Sequence, residues 1–274
     1  MERTLHTGLA VGMRSLAARR GLLVQLTVRD LAVRYRSSVL GLFWILGQPL
    51  LQLAVYGFVF RIVLRSRSGI TLGNGTEAPF GIVLFLGLLL HSVLAETLAR
   101  SPTVITSNVS YVKRVIFPLE VLPLVGVASS LVNVAVGVAI VLAATGVLAG
   151  GLPLGVLLLP LPVLLLALMA VGVGWLCSAL GVFFRDLGQL TTTLSSILLF
   201  TAPICYPADA VPERFRPLLL FNPLTVPVEC ARALLFGGTV QWNALAAYAL
   251  CAGAAAVLGL FLFLRMRRGF ADAV

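Results

Sequence analysis

The sequence holds little that could run a reaction. His6 and His91 are its only histidines and Lys113 its only lysine, and none lies in a cluster with metal-ligand spacing. A G-x-x-x-x-G-K-[ST] loop is missing too: Lys113 stands in the context Tyr111-Val112-Lys113-Arg114, so this chain does not cradle ATP phosphates in that way. A different chemistry recurs instead. Trp44, Gln48, Gln52 and Tyr56 follow one another at every fourth position. On an ideal helix each step turns the position by roughly 40°, so the stripe keeps to about a third of the surface. A second polar run holds Gln189, Thr191, Thr192, Thr193, Ser195, Ser196 and Thr201. Amides and hydroxyls in such places need water or a partner. They either line a wet path or bind neighbouring helices together.

The surroundings of these groups set the class of protein. Of 274 residues, 59% are hydrophobic and 11% charged, with a mean hydropathy of +1.05. A soluble domain carries about 25% charged residues. The composition excludes a soluble enzyme, a disordered chain, a disulfide-rich secreted domain and a collagen-like repeat. Charge-free stretches predict six spanning helices, near 38–62, 79–96, 119–147, 153–181, 188–206 and 243–264. The long apolar stretch between the second and fifth of these is divided by Gly150-Gly151 and Pro153. Each helix needs about 20 apolar residues to cross. The period-two alternation of a β-barrel is absent.

Net charge is +10, carried almost wholly by Arg. With both termini in the cytoplasm, 14 basic residues lie inside and six outside, the expected bias. The first 36 residues carry seven Arg and no uninterrupted apolar core, so no secretory leader is expected there. Residues 22–36 predict a helix with Val24, Val28, Leu31 and Tyr35 on one face and Gln25, Arg29 and Arg36 on another. That pattern suits a helix lying in the membrane interface, or one packing on a partner. Residues 207–241 are broken by five prolines yet keep apolar runs, as expected of short helices re-entering the outer leaflet. All ten acids lie at or beyond the ends of the predicted spans, His91 and Glu96 at the end of the second, which argues against an ion-coupled carrier. Cys205 and Cys230 fall on the outer side and their spacing leaves a disulfide open; Cys177 and Cys251 read as small apolar residues.

Four stretches, in order, carry a resemblance. The first is Arg29-Asp30, Arg34-Tyr35, Ser38, Leu40-Gly41, Trp44 and Pro49. The second is Asn108 to Pro118 with Glu120 to Pro123, and the third is Phe183 to Leu187. Pro203 to Pro207, Val211-Pro212-Glu213, Asn222-Pro223 and Arg232 make the fourth. Together the chain resembles permeases of the ABC-2 type that export polysaccharide, including O-antigen, teichoic acid and capsule. The spacing around Gln48-Pro49 is closer to the O-antigen and teichoic-acid branch than to the capsule branch.

The resemblance implies an all-α inner-membrane protein with three parts. Residues 1–36 would be a cytoplasmic segment with an interfacial helix, 37–267 the ABC-2 transmembrane domain and 268–274 a cytoplasmic tail. It further implies a homodimer joined to two ATP-binding cassette subunits, with ATP and Mg bound by that partner and no cofactor in this chain. The substrate would be an undecaprenyl-diphosphate-linked polysaccharide; membrane lipids are further partners, and nucleic acid is not one. A short helix over 101–114, started by Ser101-Pro102, would dock on the ATPase through Ile105, Asn108, Val109, Tyr111, Val112, Lys113 and Arg114. Trp44, Gln48, Gln52, Tyr56, Thr192, Ser195, Ser196 and Phe200 would line the substrate channel. Arg29, Arg34, Tyr35 and Arg36 would meet the lipid diphosphate, for which Arg is suited. Tyr206, Pro207, Pro212, Asn222, Pro223 and Arg232 would form a periplasmic gate. Two other readings stay open: an exporter of the same build for a drug or simple lipid, and a membrane-embedded glycosyl-lipid enzyme.

Overall fold

The computed structural model describes residues 20–36, 41, 43–65, 67–71, 75, 77–112, 117–206 and 210–273. Helix α1 spans Arg20–Arg36; α2 spans Phe43–Gly57 and runs on as a π-helical turn, Phe58–Val63. Strands β1 (Arg67–Thr71) and β2 (Glu77–Pro79) pair antiparallel. Helix α3 covers Phe80–Arg100, and a short α4 covers Val109–Val112. The long helices α5 (Val121–Ala149) and α6 (Pro160–Phe183) follow, then α7 (Leu187–Thr201). Helices α8 (Arg216–Phe221) and α9 (Thr225–Phe236) precede α10 (Trp242–Met266) and the short α11 (Phe270–Ala273).

Among the described residues five helices are long and apolar enough to cross a membrane: Phe43–Val63, Phe80–Thr103, Val121–Ala149, Leu154–Phe183 and Trp242–Gly269. The fold is that of an all-α membrane protein. Gly150 ends α5 at φ 70°, the left-handed conformation that glycine adopts without strain, and so divides the long apolar stretch into two helices. The expected fifth span is shorter than 188–206. Helix α7 stops at Thr201 because Ala202, just before Pro203, is forced into an extended conformation with ψ 149°. Its 15 residues cover roughly 22 Å, less than the ~30 Å hydrocarbon core.

Helix α3 is the centre of the bundle. Two thirds of its apolar window is buried, and α2, α5, α6, α7 and α9 all pack on it. It also runs past its expected end at 96, so Glu96 and Arg100 lie within the helix and not beyond it. Helices α6 and α10 pack backbone to backbone. A Cβ on Gly172 would strike the backbone of Ala255, and one on Gly259 would strike the carbonyl of Gly172. Small residues permit such an approach in a lipid environment.

A single helix over 101–114 does not form. The chain instead makes 3₁₀ turns at Ser101–Thr103 and Thr106–Asn108 before α4. Pro102 lacks an N–H, and the side chains of Thr103, Thr106, Ser107 and Asn108 bond to nearby carbonyls, which favours tight turns over a helix. Ser101 is therefore not an N-cap: it continues the helical path of α3 and is buried. The β-hairpin was not expected from the sequence, although Asn74-Gly75 is a turn signal and Gly75 takes φ 78°.

Candidate functional site

The stripe on α2 faces a groove. Trp44, Gln48, Gln52 and Tyr56 line one cavity of about 390 Å³ together with Ser92 and Glu96 of α3, Asn133 of α5 and Arg34 of α1. From Trp44 to Tyr56 is twelve residues, so the groove follows α2 for roughly 18 Å. Its wall is apolar at Ile45, Phe85, Leu88 and Leu89, and the ring of Tyr56 lies tilted at 6.4 Å from that of Phe85. Among the described residues Arg34 and Glu96 are the only charged ones on this wall, and they form an ion pair with each other.

That pair belongs to a network that fastens α1 to the bundle. Arg100 donates two hydrogen bonds to the Asp30 carboxylate, at 2.5 and 3.0 Å, and lies 3.7 Å from Glu96. Two residues of each sign thus alternate across the α1–α3 contact. Burial is the largest influence on Asp30 and favours its neutral form. The hydrogen bonds from Arg100, with the charges of Arg100 and Arg34, help outweigh it and hold the pKa below the ordinary 3.8. Helix α1 packs on α5 through the same side, where Thr27 is buried, while Val24 and Val28 stay exposed.

A second cavity of about 230 Å³ lies beside the first and shares Glu96. Arg29, Asp30, Arg100, Asn108 and Tyr111 line it, so residues expected to serve the lipid and the ATPase converge on one space. Tyr111 stacks on Phe117 at 4.4 Å. Ile105 is fully buried in a core cluster with Trp175, Phe263 and Phe270, so it supports the turn from within. Arg267 pairs with the buried Glu120 at 3.0 Å, and Trp175 donates to the Glu120 carbonyl, tying α10 and α6 to the start of α5. Lys113 and Arg114 lie outside the described residues, as do Ser38 and Leu40; of Tyr35, Arg36 and Val112 the helical backbone alone is described.

The α7 residues behave differently. Thr192, Ser196 and Phe200 are exposed and line no part of the α2 groove. Thr192 donates to the Gly188 carbonyl of its own helix. Ser195 instead meets α3: the His91 ring nitrogen lies 3.1 Å from its carbonyl oxygen and 3.4 Å from its hydroxyl.

At the other end of the bundle α8 and α9, with the 3₁₀ turn before them, bend by 99° about Asn222-Pro223. Asn222 is buried and donates to the Leu198 carbonyl and the Thr201 hydroxyl, both at 2.8 Å, while accepting from the Leu224 N–H. Arg232 donates to the carbonyls of Pro203 and Ile204, at 2.5 and 2.7 Å. Both therefore staple the bend to the end of α7. Tyr206 donates to the Phe200 carbonyl; with Phe200, Phe215 and Phe221 it lines an open apolar groove. Pro212 is exposed and Pro223 half-buried, whereas Pro207 falls outside the described residues. All four cysteines are free thiols, Cys205 exposed and Cys230 buried.

Sequence reasoning did not single out Asp30, Ser92, Glu96, Arg100 or Asn133 for the groove or the network. Glu96 and Arg100 sit four apart, a spacing that pairs charges on one helix face, and this was the available signal.

Comparison with known proteins agrees with this architecture. The chain is 28% identical over 255 residues to an O-antigen export system permease protein of Klebsiella pneumoniae, covering 92% of this chain and 94% of that protein. It is 29% identical to an O-antigen export system permease protein of Myxococcus xanthus, covering 82% and 84%. A polysialic acid transport protein of Escherichia coli is 25% identical, covering 79% and 81%. The family model described as ABC-2 type transporter matches residues 21–236, so the α1 network, the groove and the bent pair all lie within it. This chain is a multi-pass membrane protein of the ABC-2 type transporter family.

Proposed function

We propose that this protein is the permease subunit of an ABC exporter that moves undecaprenyl-diphosphate-linked polysaccharide across the cytoplasmic membrane. The names of the relatives support a polysaccharide cargo. One observation in this chain carries the reading further: the amide- and aromatic-lined groove along α2, whose Arg34 and Glu96 are paired with each other. Sugar hydroxyls exchange hydrogen bonds with Gln48, Gln52, Ser92 and Asn133, while Trp44 and Tyr56 offer flat faces. Apart from the paired Arg34 and Glu96, no described residue of the wall is charged, which suits hydrogen-bonded passage of a neutral glycan.

Driving force comes from a separate ATPase that binds ATP and Mg. Two such subunits act on a permease dimer, with both termini of each permease in the cytoplasm of an inner membrane. The turn segment from Ser101 to Val112 touches the ATPase, and Arg100, next to it, passes the motion to α1 through Asp30. In the dimer, the exposed Thr192, Ser196 and Phe200 complete the route opposite the α2 stripe. Helix α1 lies in the interface with Val24 and Val28 toward lipid, and the bent α8–α9 pair re-enters the outer leaflet as a gate.

Cysteine scanning over 44–56 tests the route, in a background with the four native cysteines replaced. A water-soluble thiol reagent is expected to label positions 48 and 52 and to spare the outward-facing 46 and 50. Equal labelling of both sets, or none at 48 and 52 in any nucleotide state, removes the groove from the pathway.

A further inference from the structure

We infer that Glu96 is an internal competitor for the phosphate site of Arg34: the pair is a self-inhibiting latch at the mouth of the groove, released by a polyprenyl diphosphate headgroup. The inference rests on the substrate class proposed above and adds how that substrate gains access.

Three observations support it. First, among the described residues Arg34 and Glu96 are the only charges lining the α2 groove, and they neutralise one another. An anionic headgroup meets no net attraction there until Glu96 leaves. Second, Glu96 has somewhere to go. Arg100 lies 3.7 Å away on the same helix, so releasing Arg34 does not strand a carboxylate without a partner. Third, Tyr56 at the far end of the stripe lies against Phe85, eleven residues before Glu96 on α3, so the pair lines the same cavity away from Tyr56 and a headgroup on Arg34 would place its first sugar against the stripe. A diphosphate carries more charge and more acceptor oxygens than one carboxylate, and the guanidinium fork takes phosphate in two-point contact. Asp30 remains bonded to Arg100 throughout, so α1 pivots about that bond and stays attached.

The test measures binding of undecaprenyl diphosphate to the full-length permease in nanodiscs of neutral lipid. Glu96→Gln is expected to bind at least tenfold more tightly than the wild type, and Arg34→Gln at least tenfold more weakly. The exchanged pair Arg34→Glu with Glu96→Arg is expected to keep α1 protected from hydrogen exchange and to bind no better than Arg34→Gln. Should Glu96→Gln not be recovered folded, Glu96→Asp draws the charge back by one methylene and is expected to shift binding in the same direction. Unchanged or weaker binding of both undecaprenyl diphosphate and pyrophosphate by the folded Glu96 variant overturns the latch. Inorganic pyrophosphate forms the control arm. A gain for pyrophosphate without any for the lipid keeps Glu96 as the competitor and overturns the polyprenyl assignment instead.

Discussion

Helices α2 and α10 both belong to segments apolar enough to cross a membrane, yet the bundle uses them in opposite ways. A third of the α10 window is buried, against 6% of the α2 window. Helix α10 meets α6 backbone to backbone at Gly172 and Gly259, with no room for a side chain between them. Helix α2 touches α3 and α5 across a groove and turns Phe43, Leu46, Leu50, Leu51 and Val55 outward. The difference separates a scaffold from a working surface. Contacts without voids resist displacement; a helix held along one polar stripe, with its far side given to lipid or to a second copy, can shift against its neighbours.

The strongest attack on this contrast is on the scaffold. Gly259→Val forces a side chain into the Gly172 backbone and is expected to abolish recovery of monodisperse protein, read by size-exclusion chromatography in detergent. Gly253, on the same helix, has nothing within 4 Å of an added Cβ, and Gly253→Ala is expected to leave recovery unchanged. Equal outcomes would mean that α6 and α10 are not locked.

Next comes the working surface. Gln48→Leu with Gln52→Leu removes the amides from the groove without adding bulk. Glycan export by cells carrying the variant is expected to fall at least tenfold while recovery of folded protein stays normal. A loss of folded protein in proportion to export would assign these residues to packing.

A smaller effect concerns the α1 attachment. Asp30 has a depressed pKa, so its ion pair contributes in full above the ordinary carboxyl value of 3.8 and fades as pH falls through the lower, folded value. Hydrogen exchange in α1 is expected to rise below about pH 4, with α10 unchanged, and Asp30→Asn is expected to reduce that pH dependence, leaving the part carried by the Arg34–Glu96 pair. Smallest of all is α7. Thr192→Val and Ser196→Ala remove hydroxyls that, among the described residues, bond within their own helix. They are expected to change stability by less than ~0.5 kcal/mol and to lower export a few-fold; unaltered export would take α7 off the route.

Much of this was readable from the chain because it depends on local properties. Apolar run length set the spans, Gly150 placed a turn, and the four-residue repeat on α2 marked a face that does line a single cavity. Where the structure places residues differently from a local reading, one cause recurs. Span ends were placed at the first charge, but α3 carries Glu96 and Arg100 inside its helix because Arg34 and Asp30 arrive from α1 to pair with them. Ile105 was placed on a docking face, although it fills a core whose members come from four distant segments. Thr192 and Ser196 resembled the α2 glutamines in composition, but they lie on the side of α7 turned away from the groove.

Hydropathy, helix period and turn residues act over a few positions, so the amino-acid order alone determined a multi-pass helical protein and its polar faces. Which polar face meets a groove, and which cation finds a carboxylate 62 or 70 residues away, depends on how the helices pack. Only the tertiary structure decided those partners, because pairing energy falls off within a few ångströms and no local rule brings two distant segments that close.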